Sequence, residues 1–464
     1  MPADEAAPVN AINRLLAGLF GAFILKPWYD PVALQGIVRF FMPASRAWAA
    51  ANAADGNVGA FLTHLGKPRS VGQGLVRAIT ETAGSLQTYR AAETAWERAA
   101  LGDDGADLAA LEQNRMRCAD AWMRTRTAFL PSHLINPFQA VKFAIEPQDI
   151  VEQRHGMRLV DPAHLFPGAG DLSGMTATTR TLVHGRRLSW VRFPAAKLGG
   201  DAPGWARIEE PKGDDAKGVV IFCHGIMMER EHWASLYDQA QVFLEPEGGA
   251  LTVISPEGPG HGRRMRLGFY GGEPVLAFGV GGIADYFAAH VVEVGRLIAW
   301  ARKRYGGPVA VAGVSLGALT AQLVVSAAKH WPKDSRPDAA LLLTTNESLI
   351  DITYNGSLAG GLGFPTALAD AGWTPEHIDR YRSLVEPGES AVSPERIVCV
   401  LGTTDTITPY AGGQRLASRW QIPASNVFHW YGGHFAAAFS VLRDRRPIHR
   451  FKAALAAAAT GPSP

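Results

Sequence analysis

Cysteine is nearly absent from this chain: Cys118, Cys223 and Cys399 are the only three in 464 residues. An odd, sparse set without metal-ligand spacing excludes a disulfide framework and a thiolate zinc site. Cys223 and Cys399 each lie in apolar, strand-like runs and are expected to be core thiols. An excess of charge of one sign is missing too. Lys and Arg number 45 against 43 Asp and Glu, a formal net charge of +2, so no electrostatic field points to nucleic acid as a partner. The short cluster Arg263-Arg264-Met-Arg266 reads as solvated loop charge. A membrane-spanning run is lacking. The apolar stretch Leu15–Leu25 has eleven residues, too few to span a bilayer. Acidic residues precede it and Lys26-Pro-Trp-Tyr-Asp-Pro31 follows, unlike a secretory leader. It is expected to form a buried helix or a membrane-surface one, in a cytoplasmic protein. No internal repeat is present.

What is there is a large apolar fraction, 47% against 19% charged residues, which makes a globular chain with a sizeable core. Residues 1–165 carry apolar positions at helical spacing, clearest over Val71–Ala100 and Ala106–Phe129, and form an expected helical N-terminal region. Phe166-Pro-Gly-Ala-Gly170 reads as a linker. From there to residue 464 the pattern changes. Thr176–Phe193 alternates around His184-Gly-Arg-Arg187 as a hairpin does, and Asp201–Lys217 reads as a polar loop. Apolar strands then alternate with helices: Gly218–Cys223, Leu251–Ser255, Pro308–Val314, Ala339–Thr344, Ile397–Leu401 and Asn426–Trp430, with an amphipathic helix over Ile283–Arg304. Such alternation predicts an α/β fold, a mostly parallel sheet with helices on both faces. Ligands of such sheets bind at the carboxyl ends of the strands. The interval 346–396 exceeds a simple connection and is expected to be a lid, with a helix start at Trp373-Thr-Pro-Glu.

Four features fall at those strand ends. Gly313-Val-Ser315-Leu-Gly317 joins a valine-rich strand to a helix, with small residues two before and two after the serine, so that the backbone folds sharply and the hydroxyl stands out. His224-Gly225-Ile226-Met227 follows the first apolar strand. Asp405 stands in Gly-Thr-Thr-Asp-Thr-Ile-Thr-Pro, and His434 in Gly-Gly-His-Phe. A serine hydroxyl is nearly inert at neutral pH without an adjacent base. Imidazole suits that task, and a carboxylate fixes its tautomer. Glu347 is an alternative acid, since a carboxylate past the Leu341–Thr344 run reaches the same histidine. His429 reads as a packed strand residue, and His261 with Glu257 as structural. Glu229-Arg-Glu-His232 reads as a solvated helix start. Gly279-Val-Gly-Gly imitates a dinucleotide fingerprint without the strand or acidic partner that one needs.

With these four motifs in this order, residues 175–455 resemble the α/β-hydrolase fold superfamily. The resemblance implies Ser315 as nucleophile, His434 as general base and Asp405 as orienting acid. Backbone N–H groups of Leu316 and of Ile226, or else Met227, are implied as oxyanion donors. It implies a serine hydrolase acting on a small-molecule acyl substrate such as an ester, thioester, amide or lactone, with no cofactor and no metal. An acyltransferase with the same residues stays open, as does a non-catalytic module binding through the helical region. Lys26-Pro-Trp-Tyr-Asp-Pro, Pro259-Gly-His-Gly-Arg-Arg264 and Tyr270-Gly-Gly-Glu273 together resemble a poorly characterised branch of abhydrolase-domain proteins with a long N-terminal extension. That extension is an expected site of lid, oligomer or membrane-surface contact, the last through residues 11–25.

Overall fold

The computed structural model describes residues 11–65, 71–102, 106–183, 186–196, 198, 200, 202–211, 216–228, 238 and 241–460. The expected solvated stretch at 229–232 and the hairpin tip at 184–185 lie outside them. Ten strands form one sheet: β1 (Thr176–Ala177), β2 (Thr181–Val183), β3 (Arg186–Phe193), β4 (Gly204–Glu210), β5 (Val219–Cys223), β6 (Thr252–Pro256), β7 (Val309–Val314), β8 (Ala339–Leu343), β9 (Ile397–Gly402) and β10 (Val427–Trp430). Their order is β1-β3-β4-β6-β5-β7-β8-β9-β10, with β2 paired to β3. β5 to β10 run parallel, whereas β3 and β4 are antiparallel to their neighbours. Every residue of β5, β7 and β8 is buried. This follows from the continuous valine, leucine and alanine runs, because a parallel strand covered on both faces has no polar side.

β4 corrects the sequence expectation of a loop over Asp201–Lys217. Its charges concealed it. Glu209 and Glu210 sit in a fully buried strand, and each charge has a partner. Glu210 meets Arg180 at 2.8 Å and accepts from the Tyr305 hydroxyl at 2.8 Å, while Glu209 meets Arg186 at 3.5 Å and Arg207 at 3.4 Å. Buried charges persist when they are paired and hydrogen-bonded.

Before the sheet come the N-terminal helices. The first four are α1 (Ala11–Ala17), α2 (Leu19–Ile24), α3 (Tyr29–Gly36) and α4 (Met42–Ala54), with a π-helical turn Ile37–Phe41 before α4. They are followed by α5 (Val58–Leu65), α6 (Gln73–Leu101) and α7 (Leu108–Arg124). They pack onto the sheet side through polar as well as apolar contacts. Trp96 of α6, Trp190 of β3 and Trp205 of β4 surround the Arg263 guanidinium at 5.3, 4.4 and 5.1 Å. The same guanidinium pairs with Glu93 and with Glu257, each at 2.5 Å. Arg264 is buried against Glu293 at 2.8 Å. The expectation that this basic cluster is solvated loop charge is therefore wrong for Arg263 and Arg264. A desolvated cation over an indole face contributes on the order of 2 kcal/mol, and three such faces converge here. Arg46 of α4 likewise pairs with the fully buried Glu273 at 2.9 Å.

The apolar stretch Leu15–Leu25 is half buried rather than wholly so. Leu16 and Leu25 join the core, whereas Leu15, Leu19, Phe20 and Phe23 face outward. Cys223 and Cys399 are buried core thiols as expected, and burial pushes the Cys399 thiol up to about 12. The helical segment Gly279–Tyr305 begins at the glycine run that imitates a dinucleotide motif, so those glycines open a helix packed in the core.

Candidate active site

The corner between β7 and the helix Leu316–Ala327 places Ser315. Its backbone is at φ 55°, ψ −121°, a conformation that a side chain rarely adopts and that persists only where the surroundings over-determine it. The determinants are Gly313 and Gly317. A Cβ on Gly313 would lie 2.1 Å from the Gly317 carbonyl oxygen, and one on Gly317 would lie 2.1 Å from that of Cys223. Only glycine lets β5, β7 and the helix approach this closely. Ser315 is half buried, and Leu316 opens the helix, so its N–H is one of the first-turn donors without an intrahelical acceptor.

The loop after β5 lies against this corner. A Cβ at Gly225 would sit 3.5 Å from Cβ of Ser315. Residues 225–228 form a turn in which Met228 N–H donates to the Gly225 carbonyl at 3.1 Å, and Met227 at φ 63° occupies a position that usually takes glycine. The Met227 side chain packs against the core of the N-terminal helices, so the helical region reaches the turn beside Ser315.

Asp405 and His434 come together after β9 and β10. His434 Nδ1 lies 2.8 Å from Asp405 Oδ2, and both side chains are buried. Asp405 Oδ1 accepts from the N–H groups of Ile407 at 2.8 Å and Thr408 at 3.0 Å. The Thr408 hydroxyl lies 2.9 Å from Asp405 Oδ2 and 3.1 Å from His434 Nδ1. A carboxylate fixed on three sides holds the imidazole with its Nδ1 protonated, leaving the Nε2 lone pair free to act as a base. Glu347 is elsewhere. Its two oxygens meet Arg415 at 2.9 Å and Arg419 at 3.0 Å. No hydrogen bond joins Ser315 to His434 among the described residues; such contacts are often long before substrate arrives.

Two residues that the sequence reading missed attach to this pair. One is Thr408. The other is Asp30 of α3, which accepts the N–H groups of Phe435 at 2.5 Å and Ala436 at 3.3 Å at the start of the helix His434–Ser440. Burial raises the Asp30 carboxyl above its ordinary range, opposed by those two N–H bonds. The only sequence signal was the motif Lys26-Pro-Trp-Tyr-Asp30-Pro, which carries no spacing rule that would link it to residue 434. His429 also differs from expectation. It is exposed on β10, the last strand in the sheet order, and bonded to the Tyr410 hydroxyl at 3.0 Å.

Behind the corner, four rings follow in series. His224 and His261 centroids are 4.8 Å apart, His261 and Tyr286 6.0 Å, and Tyr286 and His290 5.3 Å. Gly258 N–H donates to His224 Nε2 at 3.2 Å, which makes His224 neutral with its proton on Nδ1. Burial pushes the His224 imidazole down to about 4, and it pushes those of His261 and His290 below the usual range as well. Beside them, burial works against the Glu293 carboxylate, but the Arg264 charge holds it down to about 2.

In this sheet β4 runs antiparallel to both of its neighbours, β3 and β6, the chain crosses over at β6-β5-β7, and a strained serine follows β7. This strand order is that of the α/β-hydrolase fold. The parallel strands β5, β7, β9 and β10 of that fold carry His224-Gly225, Ser315, Asp405 and His434 at one end. No family model matches the chain, and no curated protein matches it. Similar solved structures include a lipase in its open form, 17% identical, covering 59% of this chain and 98% of that one at a TM-score of 0.38. Acetyl xylan esterase 1 from a Thermoanaerobacterium species is 13% identical over 66% of this chain and 96% of its own, at a TM-score of 0.40. An esterase from Pyrobaculum calidifontis is 16% identical over 68% and 95%, at 0.37. Among the described residues, no group of three or more His, Cys, Asp and Glu side chains is placed to hold a metal ion.

Proposed function

We propose that this chain is a serine hydrolase that cleaves a carboxylic ester, or a chemically similar thioester, amide or lactone, through an acyl-enzyme on Ser315. The observation that carries the reading is the buried Asp405–His434 pair at 2.8 Å, at the same sheet end as a serine in a strained corner. In this reading His434 Nε2 takes the Ser315 proton as Oγ attacks the carbonyl carbon. The oxyanion is received by the N–H groups of Leu316 and of Ile226, the latter in the turn held by Met227. The imidazolium formed is stabilised by Asp405 and returns its proton to the leaving alcohol. Water, deprotonated by His434, then attacks the acyl carbon and frees the serine. Helices between Leu349 and Val385, together with the π-helical turn at Ile37–Phe41, would roof the site as a lid.

A fluorophosphonate probe tests this. The wild-type protein is expected to take up one equivalent and Ser315→Ala none, with the adduct on the peptide containing Ser315. Equal labelling of both proteins refutes the nucleophile. Labelling of neither, with hydrolysis of no simple ester, supports instead a binding module.

A further inference from the structure

The face made by α1, α2 and the start of α3 turns large apolar side chains outward. Leu19 is 89% exposed and Phe23 68%, and Leu15, Phe20, Trp28 and Val32 are exposed beside them. Scattered exposed leucines need no account, but a contiguous set of this size in one short segment marks a contact surface. The segment is firmly attached from behind. Leu16 and Leu25 are buried in the core cluster that contains Val441 and Leu442, Arg443 donates to the Gly18 carbonyl at 2.8 Å, and Trp430 donates to that of Leu25 at 3.4 Å. The outer face is thus a fixed feature of folded helices that are apolar on both sides.

Its charge identifies what would cover it. Residues 11–29 contain no Asp or Glu. Among the described residues, Arg14 and Lys26 of this segment are exposed, as is Arg443, which is bonded to it through Gly18. Asp30, the first carboxylate in the segment, is turned inward onto the helix that begins at His434. Trp28 lies at the border between the apolar side chains and Lys26, 5.8 Å from the Phe23 ring and 6.2 Å from that of Tyr29. Apolar side chains inserted between acyl chains, an indole at headgroup depth and cations among anionic headgroups are the components of a helix that lies in a bilayer interface. No described helix is long and apolar enough to cross a membrane.

We infer that this face docks on the surface of an anionic lipid bilayer and that the substrate is an ester carried by a membrane amphiphile. The docking does not depend on the chemistry at Ser315. The substrate class rests on the hydrolase reading, and it follows because the face includes the start of α3, whose inward Asp30 is bonded to the helix that begins at His434.

The test uses the full chain, phosphatidylcholine vesicles with and without phosphatidylglycerol, and the double variant L19E/F23E, whose melting curve controls for folding. Wild-type protein and Ser315→Ala are expected to sediment with the phosphatidylglycerol vesicles and to be released by salt. The double variant is expected to bind about 10-fold more weakly or worse. It should hydrolyse a short water-soluble ester as fast as wild type, yet lose about 10-fold on an ester embedded in the vesicles. Failure of wild type to sediment, or equal binding by the double variant, overturns the docking. A concentration-dependent dimer abolished by L19E/F23E, without vesicle binding, assigns the face to a second copy and also overturns it. If wild type binds vesicles but cleaves neither ester, docking stands and the hydrolase reading fails.

Discussion

Replacing Asp405 by Asn changes few atoms, and the expected effect follows from its hydrogen bonds. Oδ1 accepts two backbone N–H groups, from Ile407 and Thr408. In the variant the amide oxygen must stay there, since turning the NH2 toward two donors would lose both bonds. The NH2 is then forced to where Oδ2 was, 2.8 Å from His434 Nδ1. It has protons to give, so the imidazole answers with a bare Nδ1 and a protonated Nε2. That tautomer has no lone pair for Ser315. Loss of the correct tautomer in a serine triad costs about 10⁴ in kcat, which is about 5.5 kcal/mol of barrier. KM should move by less than about 3-fold, because substrate contacts are unchanged. Stability should fall by only about 1 kcal/mol, because the backbone bonds survive. The assay is steady-state hydrolysis of p-nitrophenyl acetate beside Glu347→Gln as control. Glu347 pairs with two exposed arginines, an arrangement whose loss should change the rate less than about 3-fold. A tenth or more of wild-type activity in Asp405→Asn, or a larger loss in Glu347→Gln, refutes the assignment of the acid.

Asp30→Ala removes the acceptor for Phe435 and Ala436 while leaving Asp405 in place. It should lower kcat by about 10-fold or more with little change in KM, and Asp30→Glu should restore part of it. An unchanged kcat would make Asp30 a stabilising contact only. Gly317→Ala puts a methyl 2.1 Å from the Cys223 carbonyl oxygen, and in urea titrations it should lose about 3 kcal/mol or fail to fold; near-wild-type stability would show that the corner is looser than described. The neutral His224 sets a pH limit. Its imidazole protonates near 6.5 when unfolded but near 4 when folded. Stability is therefore full above about pH 6.5 and falls as pH drops toward about 4, by about 2 kcal/mol once its partial exposure is discounted. An equal urea midpoint at pH 7.5 and at pH 4.5 refutes the buried neutral state.

The parts of the fold that were legible in the sequence are those where one residue type answers one environment. β5, β7, β8 and β9 are apolar because both of their faces are covered, and the glycines around Ser315 stand where no side chain fits. β4 was illegible because Arg207, Glu209 and Glu210 look like surface residues until their partners, brought from elsewhere in the chain, are known. The same holds for Arg263, whose tryptophan surroundings come from α6, β3 and β4. Sequence left Asp405 and Glu347 as rivals, since both follow a strand; only the side-chain directions distinguish the one on His434 from the one between two arginines. Nothing in the sequence singles out Thr408, whose hydroxyl matters only beside Asp405 and His434. Asp30 is the extreme case, because its bonds to Phe435 and Ala436 span 405 and 406 positions.

That span has a consequence for the order of events during synthesis. At about 5–20 residues per second a ribosome takes on the order of 20–80 s to pass from residue 30 to residue 435. Throughout that interval α1 to α3 exist without the helix they hold. Leu16 and Leu25 pack in the cluster that holds Val441 and Leu442, so this segment presents apolar surface on both sides until those residues are made. The helix that begins at His434 gains its Asp30 contact only once residues 435 and 436 have been made. The interval before residues 435–442 emerge is therefore the time when a chaperone has most to cover.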